Sequence, residues 1–503
     1  MRRTLLATLL LGSTALLVGV SAPALADGTL RIGLQEDPDV LDPHRARTFV
    51  GRMIFTSLCD KLVDVAPDLT IVPQLATEWS FDEAGTKLTF KLRPDATFQD
   101  GTKVDAASVK ANIERAKSLP DSLRKSELTS VASVEAPDAQ TVVMNLSKPD
   151  ATLLAQLSDR AGMILAPSAF ETFADKPVCS GPYSFVSRTQ NDRIVLRKNP
   201  AHYDAANYHF DELVFLPIPD TTVRLANLQS GDIDMLERLA PNDIAAVEGD
   251  SNLRFLQAAG TGFVEFRFNV ANGERAKEPF GSDKRIRQAF QLSIDRNVIN
   301  EVVGFGTFEP AQQPFPPASP YYNQAIPVVQ RDVEKAKALL KEAGHERVSV
   351  EMAFGNSTTS QQIAELVQAM AAEAGFDVTL RPTEFAAMQQ EMQSGNFQMA
   401  QIGWSGRIDP DGNIHQFVTC KGSLNDGKYC NPEVDRLLNE ARTVTDQTAR
   451  KALYDQVQAI TQDEMPSMDI YYQPRAFALR ASIEGFTAHP DGMIRLRGVT
   501  LKP

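Results

Sequence analysis

The stretch from Val348 to Ile402 constrains the fold more than any other. Val348–Phe354 has the apolar spacing of a strand. Ser360–Ala374 puts Ile363, Leu366, Val367, Met370, Ala371 and Ala374 on one helical face, with Gly375 just past its end, where glycine closes a helix most readily. Phe376–Leu380 is again a strand, and Glu384–Ser394 is a second helix closed by Gly395. In Phe397–Ile402, apolar residues alternate with polar or small ones, as in a third strand. A βαβαβ run of this kind makes a parallel sheet with right-handed crossovers. Ligands of such sheets sit outside the carboxyl ends of the strands. Phe354-Gly355-Asn356 and Gly403-Trp404 are two such ends, so both are expected to open on one edge of the sheet.

The segment after the third strand reads Gly403-Trp404-Ser405-Gly406-Arg407-Ile408-Asp409-Pro410-Asp411-Gly412-Asn413. Its glycines and Pro410 mark a loop and argue against a helix there. Trp404, Arg407, Asp409 and Asp411 can offer a stacking surface and fixed charges to a small ligand. The competing reading is a surface turn in which Arg407 pairs with Asp409, Asp409 and Asp411 brace the turn, and Trp404 is ordinary core.

Arg2 and Arg3 precede an apolar run from Leu5 to Val20 and then Ala24-Leu25-Ala26. A basic start, a short apolar run and an A-x-A site make a secretory signal peptide, expected over 1–26. Cleavage after Ala26 implies an exported, periplasmic protein. The formal net charge of −13 becomes more negative when Arg2 and Arg3 leave. That excludes nucleic acid and anionic membrane surfaces as natural partners. Four cysteines in an exported chain are expected to pair. Cys420 and Cys430 flank a short polar segment and make the simplest local bridge, which leaves Cys59 with Cys179.

Elsewhere, Thr29–Leu34 is a strand and Phe49–Lys61 a helix. Glu78–Phe81 with Lys87–Leu92, and Val131–Glu135 with Thr141–Leu146, are hairpins flanking a helix capped by Asp105. These make an inserted αβ unit over about 66–174. Glu212–Ile218, Thr221–Ser230 and Ile233–Leu236 form a second βαβ, and Pro432–Ala441 and Gln447–Asp463 are late helices.

Four segments together carry a resemblance. They are Pro73-Gln74-Leu75-Ala76-Thr77-Glu78-Trp79 running on to Phe98-Gln99-Asp100-Gly101; Ser180-Gly181-Pro182-Tyr183; Arg285-Ile286-Arg287-Gln288-Ala289 with Ser293-Ile294-Asp295-Arg296; and Ile470-Tyr471-Tyr472-Gln473-Pro474. In that order the chain resembles the family 5 solute-binding proteins of ABC importers, the dipeptide, oligopeptide and nickel group. The resemblance implies a two-lobed α/β periplasmic-binding-protein fold of type II with an extra αβ subdomain in lobe one. It divides the chain into lobe one, 27–270 plus 479–503, and lobe two, 271–478. Phe263–Asn269 and Ile470–Leu479 are then the crossing segments of a hinge. A monomer is expected to engulf a peptide, a peptide-like solute or another small anion and deliver it to a membrane permease, with no cofactor; the alternative is a nickel, haem or sugar-conjugate carrier of the same fold. Gly403, Trp404, Arg407, Asp409, Asp411, Phe354, Asn356 and Tyr183 are the expected ligand-binding residues. The resemblance also shows a departure: dipeptide-binding members carry an Asp after the W-x-G of this loop, which receives the peptide's ammonium, and here that residue is Arg407. A guanidinium suits a carboxylate instead.

Enzyme readings lack their motifs. Gly403-Trp404-Ser405-Gly406 fails as G-x-S-x-G because Arg407 follows, and Ser122-Leu123-Arg124-Lys125 has no companion motifs. The six histidines have no ligand spacing, so no metal site is expected; His415 alone lies near the loop.

Overall fold

A computed structural model describes residues 28–502; the leader expected over 1–26 lies outside them. Two large sheets organise the chain. The first has seven strands in the order 253–258, 475–480, 235–237, 29–34, 212–217, 193–198 and 183–189. Its middle is parallel, with Thr29–Leu34 between Glu212–Pro217 and Met235–Glu237. The second has six strands in the order 309–310, 467–472, 263–268, 399–404, 348–355 and 376–383. Val348–Gly355 lies parallel to both Phe376–Thr383 and Met399–Trp404, which is the expected βαβαβ. The connecting helices are Thr358–Glu373 and Phe385–Ser394, and Gly395 closes the latter at φ 81°. Each sheet has its own apolar core.

The inserted unit is a four-stranded antiparallel sheet, 76–81, 87–92, 141–146 and 131–138, covered by the helix Ala106–Ser118. Asp105 starts that helix with a reciprocal capping box to Ser108, and Val109, Ile113 and Ala116 face a third core with Leu88, Phe90 and Met144.

Cys59 bonds Cys179 and Cys420 bonds Cys430. The first ends the helix Phe49–Leu58 and holds it against the turn before Tyr183. Gly181 permits that approach, since a Cβ there would lie 2.5 Å from the Leu58 carbonyl carbon.

Three expectations are corrected. Phe263–Phe268 pairs on both sides within the six-stranded sheet, so the chain crosses earlier, over 259–262. Ile470–Leu479 is not one strand: Ser467–Tyr472 belongs to the six-stranded sheet and Arg475–Arg480 to the seven-stranded one. Pro474, which cannot donate to a ladder, breaks them. The crossings are therefore two short links: 259–262, just ahead of the expected Phe263–Asn269, and 473–474, inside the expected Ile470–Leu479. Finally, Asp411–Val418 is a helix and every residue of it is buried. Gly412 belongs to its first turn because a Cβ there would lie 2.6 Å from Cγ of Arg407; packing outweighs the local cost of glycine.

The lobes touch beyond the links. Arg47 pairs with Asp426 at 2.7 Å, and Arg407 with Asp159 at 2.6 Å. Gln156 Nε2 donates to Asp411 Oδ2 at 3.3 Å, and Arg442 Nη1 to the Ser126 carbonyl at 2.9 Å.

Candidate functional site: the cavity between the lobes

The parallel strands of both sheets end on a shared cavity of ≈ 150 Å³. Gln35 and Glu36 follow Thr29–Leu34, and Arg238 follows Met235–Glu237. From the other lobe come Gly355 and Asn356 after Val348–Gly355, with Gly403 and Trp404 at the end of Met399–Trp404. The links add Gly262 and Gln473, the start of the strand Arg475–Arg480 adds Arg475, and the helix Phe49–Leu58 adds Phe49. This is where an open α/β sheet offers a binding crevice, here built twice and facing itself.

Trp404 is fixed from three sides. Its Nε1 donates to Asn413 Oδ1 at 2.9 Å. Phe417 meets it edge-on, with centroids 4.8 Å apart. The Arg407 guanidinium lies 4.2 Å from its ring centroid, a cation–π geometry. The Asn413 carbonyl oxygen also accepts from the Arg407 amide at 2.7 Å, so one buried amide orders both ends of the turn.

Of the expected ligand-binding residues, Gly403, Trp404 and Asn356 line the cavity. Phe354 and Tyr183 do not: each is 0 % exposed, in the six-stranded and the seven-stranded core respectively. Alternation along the strand turns Phe354 inward, and Tyr183 sits edge-on to Tyr208. Asp409 and Asp411 also lie off the cavity. Asp409 takes both Nη atoms of Arg450 at 2.7 Å, and Asp411 takes Nε and Nη2 of Arg442 at 2.8 and 2.7 Å. Burial pushes the Asp409 carboxyl up despite Arg450, whereas Arg442 outweighs burial and holds Asp411 below the usual range. Arg407 does not pair with Asp409; it reaches across to Asp159. Burial favours the neutral form of Asp159, but Arg407, Arg52 and Arg160 together hold its carboxyl well below the usual range.

The sequence reading missed Glu36, Arg47, Phe49, Arg238 and Arg475. Only Arg475 had a neighbouring signal, the Gln473-Pro474 break. The others come from segments distant in sequence that the sheets bring together. Among the described residues no group of three His, Cys, Asp or Glu is placed to hold a metal ion. Burial lowers the His415 pKa to about 4.

A two-lobed fold joined by two links, with a cavity at facing strand ends, defines a solute-binding protein. The chain belongs to the bacterial extracellular solute-binding proteins of family 5, whose middle-region model matches residues 70–425. It is 28% identical over 478 residues to the heme-binding protein A of Haemophilus influenzae, covering 86% of this chain and 84% of that one. It is 26% identical over 485 residues to the dipeptide-binding protein of Escherichia coli, covering 88% and 89%. Among solved structures it resembles AgaA of A. tumefaciens R10 in complex with agropinic acid, with a TM-score of 0.86, 25% identity, and 95% and 99% of the two chains covered.

Proposed function

We propose that this chain is the periplasmic binding component of an ABC importer, taking one small solute into the cavity between its lobes and presenting the closed form to a membrane permease. The observation that carries this reading is the cavity itself, walled by strand ends of both sheets and by both links. Closing two lobes over a cargo excludes water from it and couples binding to a change of shape that a permease can sense.

The lobes as they stand leave ≈ 150 Å³, comparable with engineered cavities that admit a benzene ring. A cavity of that size suits a compact solute on the scale of an amino acid or a small conjugate. Trp404, Phe49 and Phe417 supply its apolar contacts, and the arginines and carboxylates of the wall its polar ones. Protein freed of cargo by unfolding and refolding should gain thermal stability when mixed with the dialysable fraction of a periplasmic extract. A melting temperature unmoved by every such fraction speaks against solute capture.

A further inference from the structure

The cavity wall carries three carboxylates and three arginines, but the pairing leaves one arginine out. Each wall carboxylate already has an arginine: Glu36 lies 3.4 Å from Arg238, Asp426 lies 2.7 Å from Arg47, and Glu265 bonds Arg267. Arg475 has none. Among the described residues no carboxylate lies within ion-pair distance of it; Asp491 and Glu237, the acids that act on it from farther off, pair with Arg495 at 2.8 Å and with Arg238 at 3.0 Å, Arg238 being shared between Glu237 and Glu36. Arg475 is 8 % exposed and its Nε has no hydrogen-bond partner.

The guanidinium is held in a made slot. Nη2 donates to the Ser405 carbonyl at 2.6 Å. Phe49 lies against it, 5.1 Å from ring centroid to guanidinium carbon. Two glycines leave the room: a Cβ on Gly262 would lie 2.7 Å from Nη2 and one on Gly492 3.0 Å from Cδ. Gly492 is at φ +73°, a conformation glycine adopts freely. Around the same Ser405, Arg52 and Arg407 donate to its hydroxyl at 3.3 and 3.2 Å and share one carboxylate, Asp159. Three guanidinium groups thus converge on Ser405 with a single acid between them. Burial, and then repulsion from Arg238 and Arg52, lowers the Arg475 pKa to about 10, which still leaves it charged at neutral pH.

A buried, unpaired cation costs stability unless a counter-charge arrives. We propose that the cargo carries a carboxylate that pairs with Arg475, and that it needs no ammonium group, since every wall acid is already engaged. This rests on the capture of a solute in the cavity and names its chemical class.

Three matched sets of probes test it by calorimetry on cargo-free protein: N-acetyl amino acids, which have a carboxylate and no amine; amino-acid amides, which have an amine and no carboxylate; and N-acetyl amino-acid amides, which have neither. Binding confined to the first set, or at least tenfold tighter there, is expected. Equal binding across sets, preference for the amides, or silence from all three overturns the inference. A glycerol phosphate arm that binds in place of the carboxylates overturns it in favour of a phosphate cargo. A solute recovered from the native protein that lacks an acid group overturns the class while leaving capture intact. Arg475→Gln should weaken the best carboxylate probe by roughly thirtyfold or more, with Arg475→Lys intermediate. The same Arg475→Gln change should raise the melting temperature of the cargo-free protein, because it removes an uncompensated charge. A lowered melting temperature with unchanged affinity assigns Arg475 to the hinge alone and overturns the proposal.

Discussion

Nε of Arg407 lies 2.6 Å from Oδ2 of Asp159, and the two residues belong to opposite lobes. The loop that should present a ligand contact instead presents a bond to the other half of the protein. Arg52 reaches the same oxygen at 2.9 Å, so Asp159 is the hub of a three-residue bridge across the cleft. The fixed charge at this place in the loop therefore joins the two lobes, and the proposed acid contact falls to Arg475 instead.

The hub should be more sensitive than its spokes. Asp159→Asn leaves two buried guanidinium groups facing each other and is expected to cost about 3–5 kcal/mol, the usual penalty for stranding a buried charge. Arg407→Ala leaves Asp159 with Arg52 and should cost distinctly less. Urea unfolding of both variants and of the double variant measures the difference; an Asp159→Asn protein as stable as the parent contradicts the bridge.

The two disulfides should differ in worth. Cys59–Cys179 spans 120 residues and Cys420–Cys430 spans 10. On the loop-closure argument the first stabilises by about 5 kcal/mol and the second by about 3. Paired alanine replacements compared by denaturant midpoint should show the longer loop losing more, and the reverse order contradicts it.

Asp469 sets a pH dependence. It faces Glu265 across neighbouring strands and lines a small cavity of ≈ 30 Å³, with its Oδ1 unpartnered. Burial, reinforced by Glu265 and opposed by Arg296 and Arg267, raises its pKa from 3.8 to about 8. A carboxyl raised in the folded state contributes stability below its unfolded pKa and loses it as pH rises through the folded one. Asp469→Asn mimics the protonated acid. It should match the parent close to pH 4 and exceed it increasingly toward pH 8, as read from melting temperatures. A variant less stable at both ends rules out this account of Asp469.

Much of this architecture was legible in sequence. The βαβαβ of 348–402 has the period, helix faces and closing glycines that dictate a parallel sheet, and its strand ends do open on the cavity. Local signals failed where tertiary contacts decide. Gly412 and Pro410 argued against a helix, yet the room Gly412 leaves for Arg407 is what permits one. Arg407, Asp409 and Asp411 looked like ligand contacts because their partners, Asp159, Arg450 and Arg442, are remote in sequence. Phe49 and Arg475 reach one wall only through the pairing of strands from both halves.

Trp404 offers a direct optical signal, since the only other tryptophan, Trp79, stands in the inserted sheet. In a Trp79→Phe protein, cargo entering the cavity should change the emission of Trp404 in a saturable way. An acidic cargo that binds by calorimetry while leaving that emission unchanged places its site elsewhere.

The central claim is that one solute sits enclosed between the lobes. Native mass spectrometry of the protein released from its own cells, beside the same protein after unfolding and refolding, tests it most directly. The account predicts one additional small-molecule mass per chain in the first sample, absent from the second and regained on exposure to periplasmic extract. Identical masses in both samples, with no uptake from extract, contradict it.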